Sequence, residues 1–135
     1  MRIVLDTNIL ISALITNGTP RAVLNAIMTE NHEIVIFRKI IEEFVKITAE
    51  PRIRKYVTKE EVTQFLQDLV PASKLIAVRS RLGVVRDHKD NPILATVYDG
   101  HASYLATGDE DLLALKKFRK IKIVTANDML KILEA

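Results

Sequence analysis

The feature that most constrains the fold is a repeated alternation of short branched apolar runs with longer stretches of helical periodicity. The runs lack the apolar–polar alternation of half-exposed strands, so they predict strands buried on both faces of a sheet. Five such strands are expected, at residues 3–5, 33–37, 75–78, 103–106 and 121–124. Because helices separate these strands throughout, the sequence predicts an α/β fold with a parallel central sheet of about five strands and helices on both faces.

Helical periodicity fills the segments between these strands. Apolar residues recur there at spacings of three and four, which is typical of a helix with one face in a core. Thr58 and Glu61 stand three residues apart, the spacing of a capping box at a helix start. Helices are expected after Asp6 as far as Asn17, from Pro20, over residues 39–49, from Thr58, over residues 90–100 and 109–117, and from Asn127 or Asp128.

Length and composition limit the class of protein. With 135 residues, 48% of them hydrophobic, the chain is expected to form one domain over residues 1–135 that needs no disulfide or metal to fold. The absence of Cys excludes thiol catalysis, iron–sulfur clusters and Cys-based zinc sites. No apolar run approaches the ~18 residues of a membrane span. The first carboxylate, Asp6, comes too early for a secretory signal, so a cytoplasmic location is expected.

Acidic residues follow two of the predicted strands where those strands end. In an open parallel sheet, ligands bind outside the carboxyl ends of the strands. Asp6 directly follows the first strand, and Asp109 follows the fourth after a short turn. Asp90 begins a predicted helix, and Asp111 stands two residues beyond Asp109. Glu43 lies at the edge of the apolar stripe of its helix, from which a carboxylate can point into a cleft.

Each acid also has a purely structural explanation. Asp90 and Asp109 suit helix N-caps, and residues 6–8 suit a turn closed by side-chain hydrogen bonds. Glu43 suits a half-buried position beside a Lys, while Glu42 should face water. Converging carboxylates, however, raise one another's pKa and cost stability unless a cation neutralises them. Oxygen ligands favour Mg²⁺ or Mn²⁺, as one or two ions, and such ions in an acidic cleft are the usual apparatus of phosphodiester hydrolysis.

Several short motifs resemble, in order and nearly end to end, those of the PIN-domain nucleases. Residues 4–10 (VLDTNIL) are similar to the family's amino-terminal signature, and residues 43–47 (EFVKI) to its glutamate-bearing helix. Residues 90–95 (DNPILA) and 107–113 (TGDEDLL) resemble its third and last acidic motifs. The closing strand and helix are matched by residues 123–125 with Met129 and Leu130.

The resemblance implies a PIN fold and cleavage of RNA that depends on Mg²⁺ or Mn²⁺. Small members of this family are often toxins of toxin–antitoxin pairs, so it also implies a homodimer held inactive by a small antitoxin. Carried over residue by residue, the catalytic acids and metal ligands are Asp6, Glu43, Asp90 and Asp109, with Asp111 as a further metal ligand and with Asn8 and Thr107 in supporting positions. Two segments depart from the family pattern, Arg38 at the start of the glutamate-bearing helix and the polar residues 99–101.

The net charge is +3, and two stretches concentrate the basic residues. Salt-sensitive, sequence-independent contacts with a phosphate backbone would suit such segments at the rim of an acidic cleft. The alternative is a solvated helix end, where cations are also stabilising. The candidate RNA-binding residues are Arg79, Arg81, Arg86 and Lys89, and the second, weaker stretch comprises Lys116, Lys117, Arg119, Lys120 and Lys122.

Three other functions remain to be weighed. The first is a non-catalytic RNA-binding or scaffold PIN domain, although a scaffold can lose the motif acids and this chain keeps them. A receiver-like phospho-acceptor domain needs paired acids after the first strand and a Lys after the last, where Leu5 and Thr125 stand. A phosphatase with an aspartate nucleophile needs Asp-x-Asp, and Asn8 occupies the second position. The motif acids therefore favour the nuclease.

Overall fold

A computed structural model describes residues 1–77 and 91–135 of the chain, with the side chain of Asn91 left out. Within these residues, six strands form one mixed but mostly parallel sheet in the order β3-β2-β1-β4-β6-β5. All neighbouring pairs are parallel except β5 with β6. The strands are β1 (Arg2–Leu5), β2 (Glu33–Phe37), β3 (Lys74–Ile76), β4 (Tyr104–Ala106), β5 (Lys117–Phe118) and β6 (Ile121–Val124).

Eight helices within the described residues complete the fold. They are α1 (Thr7–Ile15), α2 (Thr19–Thr29), α3 (Arg38–Thr48), α4 (Pro51–Arg54), α5 (Lys59–Ala72), α6 (Asn91–Asp99), α7 (Glu110–Leu115) and α8 (Ala126–Glu134). Helix α2 packs against both α1 and α8, and α6 lies against β1 and β2. In the part of the chain that the structure describes, no helix has the length and apolar character that crossing a membrane requires.

The centre of the sheet is covered on both faces. Successive side chains of a strand point to opposite faces, and Ile3, Val4 and Leu5 are all at most 2% exposed. Leu105 and Ala106 of the neighbouring strand are fully buried as well. These strands confirm the sequence-based expectation of a doubly covered α/β sheet.

The sheet differs from expectation at its β5–β6 edge. The helix predicted over residues 109–117 ends at Leu115, and Lys117–Phe118 instead pair antiparallel with β6. Lys116 adopts a left-handed backbone conformation (φ 59°), which stops the helix and reverses the chain. The predicted parallel sheet of about five strands is confirmed, and this short antiparallel edge strand is additional to it.

The helices show two further features. Pro51 begins the separate helix α4, because proline suits the first turn of a helix. The apolar periodicity of the sequence includes Val45 and places Met28 in helix packing, yet these side chains are 46% and 39% exposed. The capping box of Thr58 and Glu61 is confirmed, with both reciprocal hydrogen bonds present.

The parallel register brings three strand ends together at one edge of the sheet. Leu5 is paired with Ala106, and Ala106 with Val124, so the chain leaves β1, β4 and β6 side by side. Asp6 is the residue after β1, and Thr107 is the residue after β4. The carboxyl edge of the sheet thus collects polar residues that lie about a hundred positions apart in sequence.

Candidate active site

Asp6 is held at the end of β1 by both its backbone and its side chain. Its amide donates to the Ala106 carbonyl oxygen at 3.0 Å, which extends the β1–β4 pairing by one residue. Its Oδ1 accepts from the Thr7 amide at 2.8 Å, so Asp6 is also the N-cap of α1. The carboxylate is therefore fixed by the point where a strand turns into a helix.

Thr107 connects the acids of the two strand ends. It is fully buried, and its amide donates to the Val124 carbonyl oxygen at 3.0 Å. Its Oγ1 donates to Asp6 Oδ2 at 2.6 Å and accepts from the Asp109 amide at 3.0 Å. One hydroxyl thus orients the Asp6 carboxylate and the backbone that carries Asp109.

Asp109 and Asn8 stand on either side of this hydroxyl. Asp109 is the N-cap of α7, with Oδ1 accepting from the Leu112 amide at 3.1 Å. Asn8, in the first turn of α1, accepts from the Gly108 amide through Oδ1 at 3.4 Å. Asn8 therefore joins α1 to the turn before α7.

The structural explanation is thus correct for Asp109, which caps a helix as expected, whereas Asp6, expected in a turn, caps a helix as well. Capping and metal binding are compatible, since an ionised carboxylate offers about four lone-pair sites and a cap uses one. The caps fix the direction of each carboxylate without exhausting its capacity to bind a cation.

Burial raises the pKa of the Asp6 carboxyl above its ordinary value, and the nearby charge of Asp109 acts in the same direction. The hydrogen bonds from Thr107 and Thr7 oppose this shift without cancelling it. An anion in such a place is unfavourable by itself, and a cation placed between the two carboxylates would stabilise its ionised form.

A cleft of about 940 Å³ opens beside these residues. Four of the residues singled out from the sequence line it, namely Asp6, Asn8, Glu43 and Asp109. Glu43 reaches the cleft from α3, where its side chain is exposed, and Glu42 faces water as expected. The cleft therefore gathers residues from β1, α1, α3 and the end of β4.

The remaining sequence candidates are placed differently. Asp111 lies in the first turn of α7, is exposed and does not line the cleft. Asp90 and the candidate RNA-binding residues Arg79, Arg81, Arg86 and Lys89 lie outside the described residues.

The second basic stretch lies away from the cleft. Arg119 and Lys120 connect β5 to the amino end of β6, at the opposite edge of the sheet from Asp6. The Arg119 guanidinium lies over the Tyr98 ring at 4.4 Å and over the Phe118 ring at 5.3 Å. These contacts give the stretch a structural role in packing the hairpin against α6.

The ability of the site to bind a divalent cation depends on the ligand atoms that its side chains provide. Within residues 1–77 and 91–135, no three His, Asp or Glu side chains lie close enough together to hold a metal by themselves. Asp6 and Asp109 nevertheless supply oxygen ligands, and the raised pKa of Asp6 reflects chiefly its burial, with a further contribution from the charge of Asp109. A pair of carboxylates of this kind is compatible with a divalent cation whose coordination is completed by waters.

Sequence reasoning missed three basic residues of the cleft. Lys39, Lys46 and Arg52 line it together with the acids. Lys39, Glu43 and Lys46 are spaced four and three residues apart, which places them along one side of a helix. That spacing was available in the sequence and could have identified the two lysines as neighbours of Glu43.

Comparisons with known proteins agree with the resemblance found in the sequence. The sequence profile of the family described as PIN domain matches residues 2–111. The uncharacterized protein MJ1680 of Methanocaldococcus jannaschii is 32% identical over 122 residues, which cover 89% of this chain and 78% of that protein. The crystal structure of VapBC2 from Rickettsia felis bound to a DNA fragment from their promoter has a similar fold, with a TM-score of 0.64. That match has 17% sequence identity and covers 91% of this chain and 97% of the other.

Proposed function

Because the chain belongs to the PIN domain family, whose members are generally nucleases, we propose that it is a metal-dependent endoribonuclease and the toxin of a toxin–antitoxin pair. The observation that carries the proposal is the hydroxyl of Thr107, which joins Asp6 to the backbone of Asp109 beside the cleft that both acids line. A buried carboxylate near a second one costs stability unless a cation neutralises the pair, so this arrangement supports a cation site.

Mg²⁺ or Mn²⁺, as one or two ions, would be held by Asp6 and Asp109, with Glu43, Asp90 and Asp111 as further ligands by family resemblance. When bound, such an ion supplies a nucleophilic water and stabilises negative charge on a phosphate. The hydroxyl of Thr107 donates to Asp6, which favours the ionised form of that carboxyl and orients it. Asn8 holds the turn at Gly108, and so keeps Asp109 at its distance from Asp6.

RNA as the substrate and a small protein antitoxin as the partner belong to the proposal. The antitoxin is supported by the similar fold of VapBC2, whose structure contains a DNA fragment from the promoter. The homodimer, the cytoplasmic location and RNA contacts by Arg79, Arg81, Arg86 and Lys89 rest on family resemblance and on the sequence. The alternative is a PIN domain that binds RNA without cleaving it.

The test is cleavage of a labelled single-stranded RNA in the presence of Mn²⁺ or Mg²⁺. The parent protein should cut the RNA, and both a chelator and the double variant Asp6→Asn/Asp109→Asn should abolish cutting. Removal of ligands from a metal-dependent active site should lower the rate by about 100-fold or more. Circular dichroism would verify that the double variant is folded.

The matched control is Asp68→Asn/Asp128→Asn, which removes two exposed carboxylates of α5 and α8 that do not line the cleft. This variant should cut at the rate of the parent. Absence of cleavage by the parent on varied RNAs, with RNA binding intact in every variant, would instead establish the non-catalytic alternative.

A further inference from the structure

The cleft carries a pair of lysines to which the family resemblance assigns no role. Lys39 and Lys46 both lie on α3, both line the cleft and both are exposed. They are seven residues apart, so they are separated by about 10.5 Å along the helix axis. Glu43 lies between them and lines the same cleft.

The two lysines differ from the neighbouring basic residues in their partners. Arg38 pairs with Glu42 at 3.1 Å, and Arg52 pairs with Glu50 at 2.8 Å. Among residues 1–77 and 91–135, the ion pairs include neither Lys39 nor Lys46. Two ammonium groups in a cleft without carboxylate partners of their own are available to an anionic ligand.

Helix α1 lines the cleft with both polar and apolar side chains. The lining residues of this helix are Thr7, Asn8, Ile11, Ser12 and Ile15, and α1 packs against α3. The cleft of about 940 Å³ beside the two packed helices gives room for part of one extended strand. Apolar and polar side chains together with two lysines suit the sugars and phosphates of a single nucleic-acid strand.

The start of α3 adds to the positive potential. Its N-cap is Phe37, which provides no side-chain hydrogen bond to the first turn. The partial positive charge of the helix terminus therefore stays uncompensated by a capping side chain, at the same end of the helix as Lys39.

Resting on the proposed nuclease function, we propose that Lys39 and Lys46 bind two backbone phosphates of a single RNA strand. The strand lies in the groove between α1 and α3 and is led by it to Asp6 and Asp109. The contacts are with phosphates and not with base edges, so they are independent of sequence. Lys39 and Lys46 are positioning residues for the substrate and take no part in the chemistry.

The experiment measures binding without cleavage. In an Asp109→Asn background and with a chelator present, a fluorescent single-stranded RNA of about 12 nucleotides is titrated at several salt concentrations. Adding Lys39→Gln/Lys46→Gln should weaken binding about 25-fold at ~0.1 M salt and reduce the slope of log K against log salt by about 1.4, the values for two lost phosphate contacts. Lys39→Arg/Lys46→Arg should restore binding.

The matched control is Lys59→Gln/Lys131→Gln, which removes the same charge from exposed positions of α5 and α8 that do not line the cleft. It should bind within twofold of its parent. Equal losses in the two double variants would show a net-charge effect and overturn the inference. So would undiminished RNA binding after loss of Lys39 and Lys46, which is also the result expected if the groove serves a protein partner.

Failure of the proposed nuclease function can be distinguished from failure of the proposed binding groove. If the lysines are needed for RNA binding but the metal-loaded parent protein never cuts the RNA, the proposed binding groove stands and the proposed nuclease function is refuted. If cleavage depends on Asp6 and Asp109 but RNA binding does not depend on the lysines, the proposed nuclease function stands and the proposed binding groove is refuted.

Discussion

At the scale of single residues, the Thr107 hydroxyl has both of its hydrogen-bonding functions in use. It donates to Asp6 and accepts from the backbone of Asp109, so it cannot be exchanged for a methyl group of the same size without loss at both places. Removing a buried partner leaves a polar group unsatisfied, which costs more than the hydrogen bond contributes on balance.

Thr107→Val is therefore expected to lower the free energy of unfolding by about 1–3 kcal/mol and the cleavage rate by about 10-fold to 100-fold. Urea unfolding and single-turnover cleavage measure the two effects. Thr107→Ser keeps the hydroxyl and should keep most of the activity. A valine variant as active as the serine variant would show that cleavage does not need the Thr107 hydroxyl.

The stability of Asp6→Asn relative to the parent should increase as the pH of the metal-free protein rises toward neutrality. The pKa of Asp6 in the folded state lies above its unfolded value, chiefly because of burial. Below the unfolded value, near pH 4, Asp6 is protonated in both states and costs nothing. As the pH rises through the pKa that Asp6 has in the folded protein, its buried charge lowers the free energy of unfolding. Asparagine carries no charge and therefore has no such pH-dependent cost.

The melting temperature of Asp6→Asn relative to the parent should accordingly increase between about pH 4 and pH 7, by a few degrees. Thermal melts in chelator at closely spaced pH values measure this difference. Asp68→Asn, at an exposed position, should show no such trend. A difference that stays constant with pH would mean that the Asp6 carboxylate is already compensated without a metal.

At the scale of secondary-structure elements, the end of α6 is packed against β2 too closely to accept a side chain. Gly100 is buried, and a Cβ built there would lie 2.5 Å from Val35 Cγ1 and 2.9 Å from the Thr96 carbonyl oxygen. Its own carbonyl accepts from Arg2 at 3.3 Å, so the segment is tied to β1 as well. His101 then takes a left-handed conformation (φ 53°) and turns the chain into β4.

Gly100→Ala should destabilise the protein by about 1–3 kcal/mol through this overlap. The change is read from chemical unfolding, with Gly18→Ala as the matched control because a Cβ there meets nothing within 4 Å. Combining Gly100→Ala with Val35→Ala should recover part of the loss if Val35 is the obstacle. An alanine at residue 100 that costs no more than one at residue 18 would refute the close packing.

Elements with a strong local pattern could be predicted from the sequence, and those determined by backbone conformation could not. The branched runs at residues 3–5 and 33–37 need burial on both faces and became β1 and β2. The edge strand Lys117–Phe118 is two residues long and follows a helix directly. Its position depends on positive φ angles at Lys116 and Arg119, and neither residue type signals that conformation.

The residues of the site also divide into those that could be predicted from the sequence and those that could not. Asp6 and Asp109 could be predicted because they directly follow strands whose ends must share an edge of a parallel sheet. Lys39 and Lys46 could not be assigned to a site, because lysines beside an apolar helix face are equally typical of a solvated surface. Only the position of α1 across the groove distinguishes the two cases.

At the scale of the whole molecule, metal binding and folding should be coupled. An ion that binds the folded protein alone stabilises it by about 2.7 kcal/mol at a concentration of 100 Kd, which corresponds to roughly 10 °C in melting temperature. Mn²⁺ or Mg²⁺ should therefore raise the melting temperature of the parent protein. Asp6→Asn/Asp109→Asn should show no such increase, and an equal increase in both proteins would place the metal elsewhere.

The partners of Thr107 also determine when the site can form during synthesis. Thr107 is held by Asp6, which is made long before it, and by the carbonyl of Val124, which is made after it. Residues 1–100 contain β1 but neither β4 nor β6. The two acids therefore cannot be brought together by a partly synthesised chain, and the site assembles only after Val124 has been added.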